Sequence, residues 1–317
     1  MEFNMALLLH LNDVNEEKWA NSLSIALAPY AVLKRNDNYN AKDINYIFAW
    51  KADNNAFDNL PNLKAVFSLG AGVDALLKHE NLPKNVPIVR FVDKDLSQCM
   101  SDYVIAHVLM HHRLFTHYDS EQKTKQWQQY FPPPASKRNV GIMGLGELGL
   151  GAIKRLKPLG FSLHGWSNSA KNIKDVKSYV GVKEFDTFLA NTDILVNLLP
   201  LTKQTAHILN YENFKKLKRS KHFAPVIINA ARGGHQKETD IIKALNDSTL
   251  GAASLDVFEV EPLPKDSPLW SIKNCYITPH IAAISNVQTG VKYFAKILTD
   301  HEAGKPLINL VDIKKGY

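Results

Sequence analysis

Cysteine is scarce in this sequence: Cys99 and Cys275 are the only two among 317 residues. Two thiols so far apart, without a CxxC pair, predict neither a disulfide framework nor a metal site. Long apolar runs are also lacking, since none approaches the roughly 20 residues that span a bilayer. We interpret the short run at 5–9 as a buried strand rather than a signal peptide. These absences favour a cytoplasmic protein with no membrane partner.

The charge is mildly basic rather than strongly one-sided. Thirty-eight Lys and Arg residues against 31 Asp and Glu give a net charge of +7 (38 − 31). The lysines are scattered, apart from small clusters such as 215–219, so we do not expect nucleic acid as a partner. A basic surface suits small anionic substrates and a phosphorylated cofactor. The length predicts two domains.

Strand-like and helix-like stretches alternate along the first hundred residues. This alternation predicts a parallel sheet with helices on its faces. The expected strands are 5–11, 46–50, 65–69 and 88–92, and the expected helical or turn segments are 15–23 and 73–78. A long helix is predicted over 101–115 with Ser101 as its cap. Three prolines at 132–134 then predict an extended linker.

A second alternating series follows the prolines. Its predicted strands are 140–143, 161–166, 194–199, 226–229, 252–257 and 276–278. Six strands with intervening helices are typical of a Rossmann domain. From about Thr289 we expect a helix and an apolar tail that returns to the first domain. The predicted fold is therefore α/β, with a Rossmann-type nucleotide-binding domain (101–288) inserted in a smaller flavodoxin-like substrate domain (1–100 plus 289–317).

A GxGxxG motif opens this second series. Gly144, Gly146 and Gly149 follow the apolar strand 140–143 and precede a predicted helix over 148–159. In that context the first glycine allows a tight turn, the second lets the backbone approach a pyrophosphate, and the third lets helix and strand pack closely. The pyrophosphate would sit on the N–H groups that begin the helix. The alternative is a glycine-rich turn without a ligand.

The end of the next predicted strand bears on the choice of cofactor. NAD-selective sites usually place an acidic residue there, about 20 residues after the glycines. This chain instead has Ser167, Asn168, Ser169 and Lys171, with no carboxylate between them. Hydroxyls, an amide and a lysine can bind a 2′-phosphate, which an acidic residue would repel. We therefore predict NADPH, with NADH as the alternative.

Three further motifs follow in a fixed order. They are Asn-x-x-Arg-Gly at 229–233, Asp-Val-Phe-x-x-Glu-Pro at 256–262 and Thr-Pro-His at 278–280. Together with GxGxxG they resemble the D-isomer-specific 2-hydroxyacid dehydrogenases over essentially the whole chain. Further segments are similar to the glyoxylate/hydroxypyruvate reductase branch, namely 68–74, 197–200, 261–264, 267–270 and 316–317.

The resemblance implies a catalytic trio of Arg232, Glu261 and His280. Arg232 offers a permanently charged planar fork that suits a carboxylate and a keto oxygen. His280 can carry a proton near neutral pH and give it to the oxygen as hydride reaches the carbon. Glu261 would orient the imidazole and favour its protonated form. Glu259 is the rival carboxylate, but the family pattern places the functional one directly before the proline.

The remaining site residues are expected around cofactor and substrate. Gly70, Ala71, Gly72 and Val73 follow an apolar strand and would offer N–H groups to the substrate carboxylate; a purely structural turn is the alternative. Trp50 would limit substrate size, or else close the domain core. Arg232 also belongs to the substrate set. The remaining cofactor contacts that the resemblance implies are Glu147, Leu148, Leu199, Pro200, Thr205, Ala230, Arg232, Asp256 and His280.

The implied activity is NADPH-dependent reduction of small 2-keto acids, glyoxylate to glycolate and hydroxypyruvate to D-glycerate. Two alternatives stay open: another substrate such as lactate or phosphoglycerate, and a nucleotide-sensing binding protein without catalysis. The resemblance also implies a homodimer formed through the nucleotide-binding domains.

Overall fold

The computed structural model describes residues 5–220 and 223–317, and the chain divides into two compact units. The first comprises Met1–Leu96 with Ser285–Tyr317, and the second comprises Ser97–Ile284. The first four residues of the predicted substrate domain lie outside the described residues. No helix in the described ranges is long and apolar enough to cross a membrane.

Regular elements alternate along the chain. The strands are β1 (Ala6–Leu11), β2 (Ala31–Lys34), β3 (Ile44–Trp50), β4 (Ala65–Ser68), β5 (Ile88–Val89), β6 (Asn139–Met143), β7 (Ser162–Ser167), β8 (Lys177–Val180), β9 (Ile194–Asn197), β10 (Val226–Asn229), β11 (Ala252–Leu255) and β12 (Cys275–Ile277). The α-helices are α1 (Glu16–Leu27), α2 (Lys94–His112), α3 (Phe115–Lys123), α4 (Glu147–Leu156), α5 (Gly181–Ala190), α6 (Tyr211–Lys215), α7 (Glu238–Asn246) and α8 (Val287–Glu302).

The first unit is built on a parallel five-stranded sheet in the order β2-β1-β3-β4-β5. This is the flavodoxin-like strand order. All six residues of β1 are buried, as expected for a parallel strand covered on both faces. Aromatic rings form much of the core: Phe48 lies 5.4 Å from Trp19 of α1 and 4.3 Å from Phe294 of α8, measured between ring centroids.

The second unit contains a parallel seven-stranded sheet in the order β12-β11-β10-β9-β6-β7-β8. The strand order reverses between β6 and β9. A Rossmann sheet binds its ligand in the crevice at such a reversal. The central strands are buried throughout, as in Val226–Asn229 and Ala252–Leu255, and are apolar in these two apart from Asn229 and Ser254. The two sheets confirm the predicted fold class.

Several element bounds differ from the sequence prediction. Strands β2 and β8 were not predicted, and α1 and α8 extend beyond the expected segments at 15–23 and from 289. The expected cap at Ser101 is wrong: α2 begins at Lys94, and the Ser101 hydroxyl lies inside the helix and donates to the Ser97 carbonyl at 2.7 Å. Asp93 provides the cap instead, because its Oδ1 accepts the N–H groups of Asp95 and Leu96.

Candidate active site

The glycine turn connects β6 to α4 as the motif predicts. Gly144 has a φ of +96°, a conformation that favours glycine. A Cβ on Gly149 would lie 1.9 Å from the Gly144 carbonyl oxygen, so only glycine allows this close approach. Gly146 precedes the first helical residue without a side-chain cap, and a Cβ on it would meet no atom of the described residues within 4 Å. The N–H groups that begin α4 therefore lie beside unfilled space at the switch point of the sheet.

The end of β7 lies beside this turn. Its last residue, Ser167, donates a hydrogen bond from its hydroxyl to the Ser169 carbonyl at 2.8 Å. Asn168, Ser169 and Lys171 are exposed. The structure thus brings the four residues of the predicted 2′-phosphate site into one short surface loop.

The loop after β9 is tightly organised. Thr205 is 4% exposed, and its hydroxyl donates to the Pro200 carbonyl at 2.7 Å and accepts the Thr202 N–H at 2.8 Å. Buried His235 contacts the same Pro200 carbonyl at 3.2 Å through Nε2. Thr205 therefore fixes the shape of the Leu199–Pro200 segment, and its predicted contact with the cofactor stays a prediction.

The Arg232 loop follows β10 and is shaped by the buried side chain of Asn229. The Asn229 amide donates to the Arg232 carbonyl at 3.2 Å and to Gln236 Oε1 at 2.8 Å. Its Oδ1 accepts from Asn197 at 3.0 Å and from the Ala231 N–H at 3.2 Å. The first residue of the Asn-x-x-Arg-Gly motif thus closes the turn that presents the arginine, which is half-buried and donates to the Ala231 carbonyl.

The Arg232 loop and the start of α7 contact the loop after β11. A Cβ on Gly233 would lie 1.7 Å from the Phe258 carbonyl oxygen, so the two backbones touch. Gln236 donates to the Val257 carbonyl at 2.9 Å. The Glu238 carboxylate accepts the backbone N–H of Glu259 at 2.7 Å, and the Glu259 carboxylate accepts the backbone N–H of Glu238 at 3.0 Å. Arg232 and Glu261 therefore lie on mutually attached segments.

Glu261 contacts His280 directly. Glu261 Oε2 lies 2.7 Å from His280 Nδ1, and its Oε1 accepts the Phe258 N–H at 3.1 Å. The two side chains are 29% and 37% exposed, so the pair remains accessible. The Glu259 carboxylate instead accepts the Glu238 N–H. Of the two rival carboxylates, Glu261 is therefore the one that contacts His280.

The His280 backbone is fixed by Asp256, which is 1% exposed. The Asp256 carbonyl accepts the His280 N–H at 2.8 Å. Its carboxylate accepts the N–H groups of Ile281 and Ala282, both at 2.9 Å. His280 adopts a φ of +55°, which is uncommon for a residue other than glycine. Asp256 therefore stabilises the turn that carries the imidazole, and its predicted cofactor contact stays a prediction.

In the first unit, Trp50 ends β3 and lies against the turn formed by residues 70–73 after β4. A Cβ on Gly70 would lie 2.3 Å from Trp50 Cζ3, so the indole occupies the space beside the glycine. Ala71 and Gly72 are half-exposed, whereas Val73 is buried. The helical or turn segment expected at 73–78 contains a short 3-10 turn over Leu76–Lys78.

This strand order, glycine turn and His–Glu pair agree with a comparison to known families. Residues 105–282 match the model of the D-isomer specific 2-hydroxyacid dehydrogenase NAD-binding domain. The chain belongs to this family. Membership confirms the resemblance drawn from the motifs, and with it the prediction of an oxidoreductase that acts on 2-hydroxy acids with a nicotinamide cofactor.

Relatives in sequence cover nearly the whole chain. It is 37% identical over 306 residues to the glyoxylate/hydroxypyruvate reductase A of Yersinia enterocolitica, covering 95% of this chain and 96% of the relative. The protein of the same name from Serratia proteamaculans is also 37% identical, over 310 residues, with 96% and 97% covered.

Solved structures extend the similarity to the fold. The NADPH-dependent glyoxylate/hydroxypyruvate reductase of Sinorhizobium meliloti, in complex with NADP and sulfate, is similar with a TM-score of 0.93 and 40% identity, covering 99% of this chain and 100% of the other. A D-isomer specific 2-hydroxyacid dehydrogenase of Xanthobacter autotrophicus Py2 in complex with NADPH and MES gives 0.93 and 35%, with the same coverage.

Several supporting residues had no clear signal in the sequence. Gln236 lies just past a recognised motif, and Tyr103 lies far from one, on α2. Only the fold brings them to the loops that carry Arg232 and His280. Such polar residues could have been suspected only from the requirement that buried loop carbonyls and hydroxyls find partners.

Proposed function

We propose that this chain reduces small 2-keto acids with NADPH, converting glyoxylate to glycolate and hydroxypyruvate to D-glycerate. The observation that carries the proposal is the 2.7 Å contact between His280 Nδ1 and Glu261 Oε2, because it provides an oriented proton donor on an accessible surface. The relatives named as glyoxylate/hydroxypyruvate reductases support the substrate class.

The glycine turn fits a dinucleotide. The unfilled space beside Gly146 leaves room for a pyrophosphate at the N-terminus of α4, where N–H groups favour an anion. A reduced nicotinamide supplies the hydride when the cofactor is bound. We propose the following residues as its further contacts: Glu147, Leu148, Leu199, Pro200, Thr205, Ala230, Arg232, Asp256 and His280.

NADPH is favoured over NADH by the loop after β7. Ser167, Asn168, Ser169 and Lys171 lie together there without a carboxylate that would repel a 2′-phosphate. The Sinorhizobium and Xanthobacter structures contain NADP and NADPH respectively, which supports this preference. A lower Michaelis constant for NADH than for NADPH would overturn it.

Arg232 binds the substrate carboxylate and keto oxygen in this proposal, through its planar fork. We also propose substrate contacts for Gly70, Ala71, Gly72 and Val73. Trp50 limits substrate size: its indole lies against this turn, in the space that a Cβ on Gly70 would enter.

His280 transfers the proton. With Nδ1–H donating to Glu261 Oε2, the second ring nitrogen is left to protonate the keto oxygen as it gains charge. The carboxylate stabilises the imidazolium by charge and fixes the ring by hydrogen bonding. Glu261 can do both because the Phe258 N–H restrains its other oxygen.

The decisive experiment follows the absorbance of reduced nicotinamide while the purified protein is mixed with NADPH and glyoxylate, hydroxypyruvate or pyruvate. We expect turnover with the first two and severe loss in His280→Gln. His207→Asn is the control: His207 is exposed and has a positive φ that asparagine accepts. Its Nδ1 contacts the Gln236 carbonyl at 3.1 Å, and the asparagine amide can donate to the same carbonyl. Absence of turnover with all three keto acids would reject the proposal.

We also propose a cytoplasmic homodimer joined through the second unit. Large apolar side chains of this unit are exposed in and after α3: Phe115 by 64%, Trp127 by 94% and Phe131 by 86%. A second copy of the chain would cover them. Sedimentation velocity should give a dimer for the natural chain and a monomer for Trp127→Lys/Phe131→Lys. A monomeric natural chain would reject this assembly.

The two unpaired cysteines fit a reducing compartment.

A further inference from the structure

A line of hydroxyl and carboxylate groups connects α2 to the His280 turn. The Tyr103 hydroxyl lies 2.9 Å from Thr278 Oγ1. Thr278 Oγ1 in turn donates to Asp256 Oδ1 at 2.6 Å. All three residues belong to the second unit, and none of these contacts is predicted by the motifs. The line ends on the carboxylate that fixes the turn carrying His280.

The direction of these hydrogen bonds follows from the Asp256 carboxylate at the end of the line. An ionised carboxylate can only accept, so the single Thr278 hydroxyl proton points to Asp256. Thr278 Oγ1 must then accept from Tyr103, which is the donor of the pair. Burial raises the pKa of Tyr103 above its ordinary range, which keeps the phenol protonated and able to donate.

The Asp256 carboxylate is where this line meets the catalytic turn. Its Oδ1 accepts from Thr278 and from the Ile281 N–H, while its Oδ2 accepts the Ala282 N–H. These two N–H groups immediately follow His280, whose positive φ requires such restraint. A hydroxyl that itself accepts a hydrogen bond donates more strongly, so Tyr103 strengthens the bond that orients the carboxylate.

We propose that Tyr103 is a positioning residue for His280, acting through Thr278 and Asp256. This inference rests on the proposed role of His280 as proton donor. Tyr103 restrains the backbone of the turn, whereas Glu261 restrains the imidazole. The two restraints are complementary: without the first, the ring would keep its partner but lose its place relative to the substrate.

Tyr103→Phe tests the inference by removing one hydroxyl. We expect kcat for glyoxylate to fall about three- to tenfold, the range for one lost hydrogen bond, with less than about a twofold change in either KM. Tyr179→Phe is the matched control, since Tyr179 is a buried tyrosine of the same unit whose hydroxyl has no hydrogen-bond partner in the described residues. An unchanged kcat in Tyr103→Phe, or an equal loss in Tyr179→Phe, would overturn the inference.

Thr278 gives a second route should Tyr103→Phe fail to fold. Thr278→Val removes the relay, whereas Thr278→Ser keeps its hydroxyl. We expect a kcat loss in the valine variant that serine rescues; equal kcat in the two variants would refute the relay.

Nuclear magnetic resonance of 13C-labelled histidine separates this inference from the proposed function. The His280 resonance should shift and broaden in Tyr103→Phe but not in Tyr179→Phe, whether or not the protein reduces glyoxylate. An unmoved His280 signal would refute the positioning role, while a moved signal in a protein without turnover would refute only the function.

Discussion

Acidification should destabilise the second unit through two histidines packed around one serine, of which His107 is half-buried and His111 is buried. His107 Nδ1 and His111 Nε2, one helical turn apart on α2, each lie 2.8 Å from the hydroxyl of Ser254. Ser254 is fully buried in β11. Burial lowers the pKa of His107 to about 4 and that of His111 to about 3. Both imidazoles are therefore neutral in the folded protein at neutral pH.

The size of the effect follows from these values. The ordinary histidine pKa is 6.5, and the pKa values in the folded protein are about 4 and about 3. At a pH between these values and 6.5, the unfolded chain therefore binds protons that the folded chain does not. The free energy of unfolding must then fall as the pH falls through this interval. Lowering the pH from about 7.5 to about 5.0 should reduce the free energy of unfolding by about 2 kcal/mol for each histidine, or about 4 kcal/mol for the two together.

Urea denaturation at these two pH values measures the loss. His107→Asn/His111→Gln places amide groups near the ring nitrogens that contact Ser254 and removes both titrations. We expect the double variant to lose about 4 kcal/mol less than the natural chain over the same interval, whereas His207→Asn should behave like the natural chain. If the double variant lost as much stability as the natural chain, the explanation would be wrong.

Four further outcomes are expected. His280→Gln should lower kcat by about a hundredfold or more; steady-state kinetics with a near-natural rate would contradict its role. Arg232→Lys should raise the KM for glyoxylate more than it lowers kcat, because the planar fork is lost, and equal KM values would contradict this. Gly149→Ala should lower the free energy of unfolding by about 1–3 kcal/mol through its clash with the Gly144 carbonyl, measured in urea; an unchanged midpoint would show that the turn adapts. Lys171→Glu should raise the KM for NADPH and spare that for NADH, and parallel changes would place the 2′-phosphate elsewhere.

The fold was largely predictable because its central strands are mostly apolar. Strands covered on both faces, such as β10 and β11, stand out as continuous buried runs. The two missed strands, β2 and β8, are short edge strands whose residues are mostly half-buried or exposed. With one hydrogen-bonded neighbour and an open side, such strands need no apolar run and give little signal.

The site was predictable where chemistry fixes the residue type and less so where neighbours do. Arg232, Glu261 and His280 stand in motifs, and the structure brings Glu261 to His280. Tyr103 and Gln236 depend on contacts across many residues of sequence, which no local pattern records. The error at Ser101 has a local origin instead, because a serine inside a helix can bond to the preceding turn as well as cap a new helix.

The attachment between the loops after β10 and β11 limits how this enzyme can be altered. The two loops touch through the backbone at Gly233 and through side chains at Gln236 and Glu259. A change in the length of either loop would therefore displace both Arg232 and Glu261. Redesign of substrate scope by exchanging these loops one at a time should therefore fail. Side-chain replacement at Trp50, outside the joined pair, leaves both of these loops intact and is the better starting point for engineering.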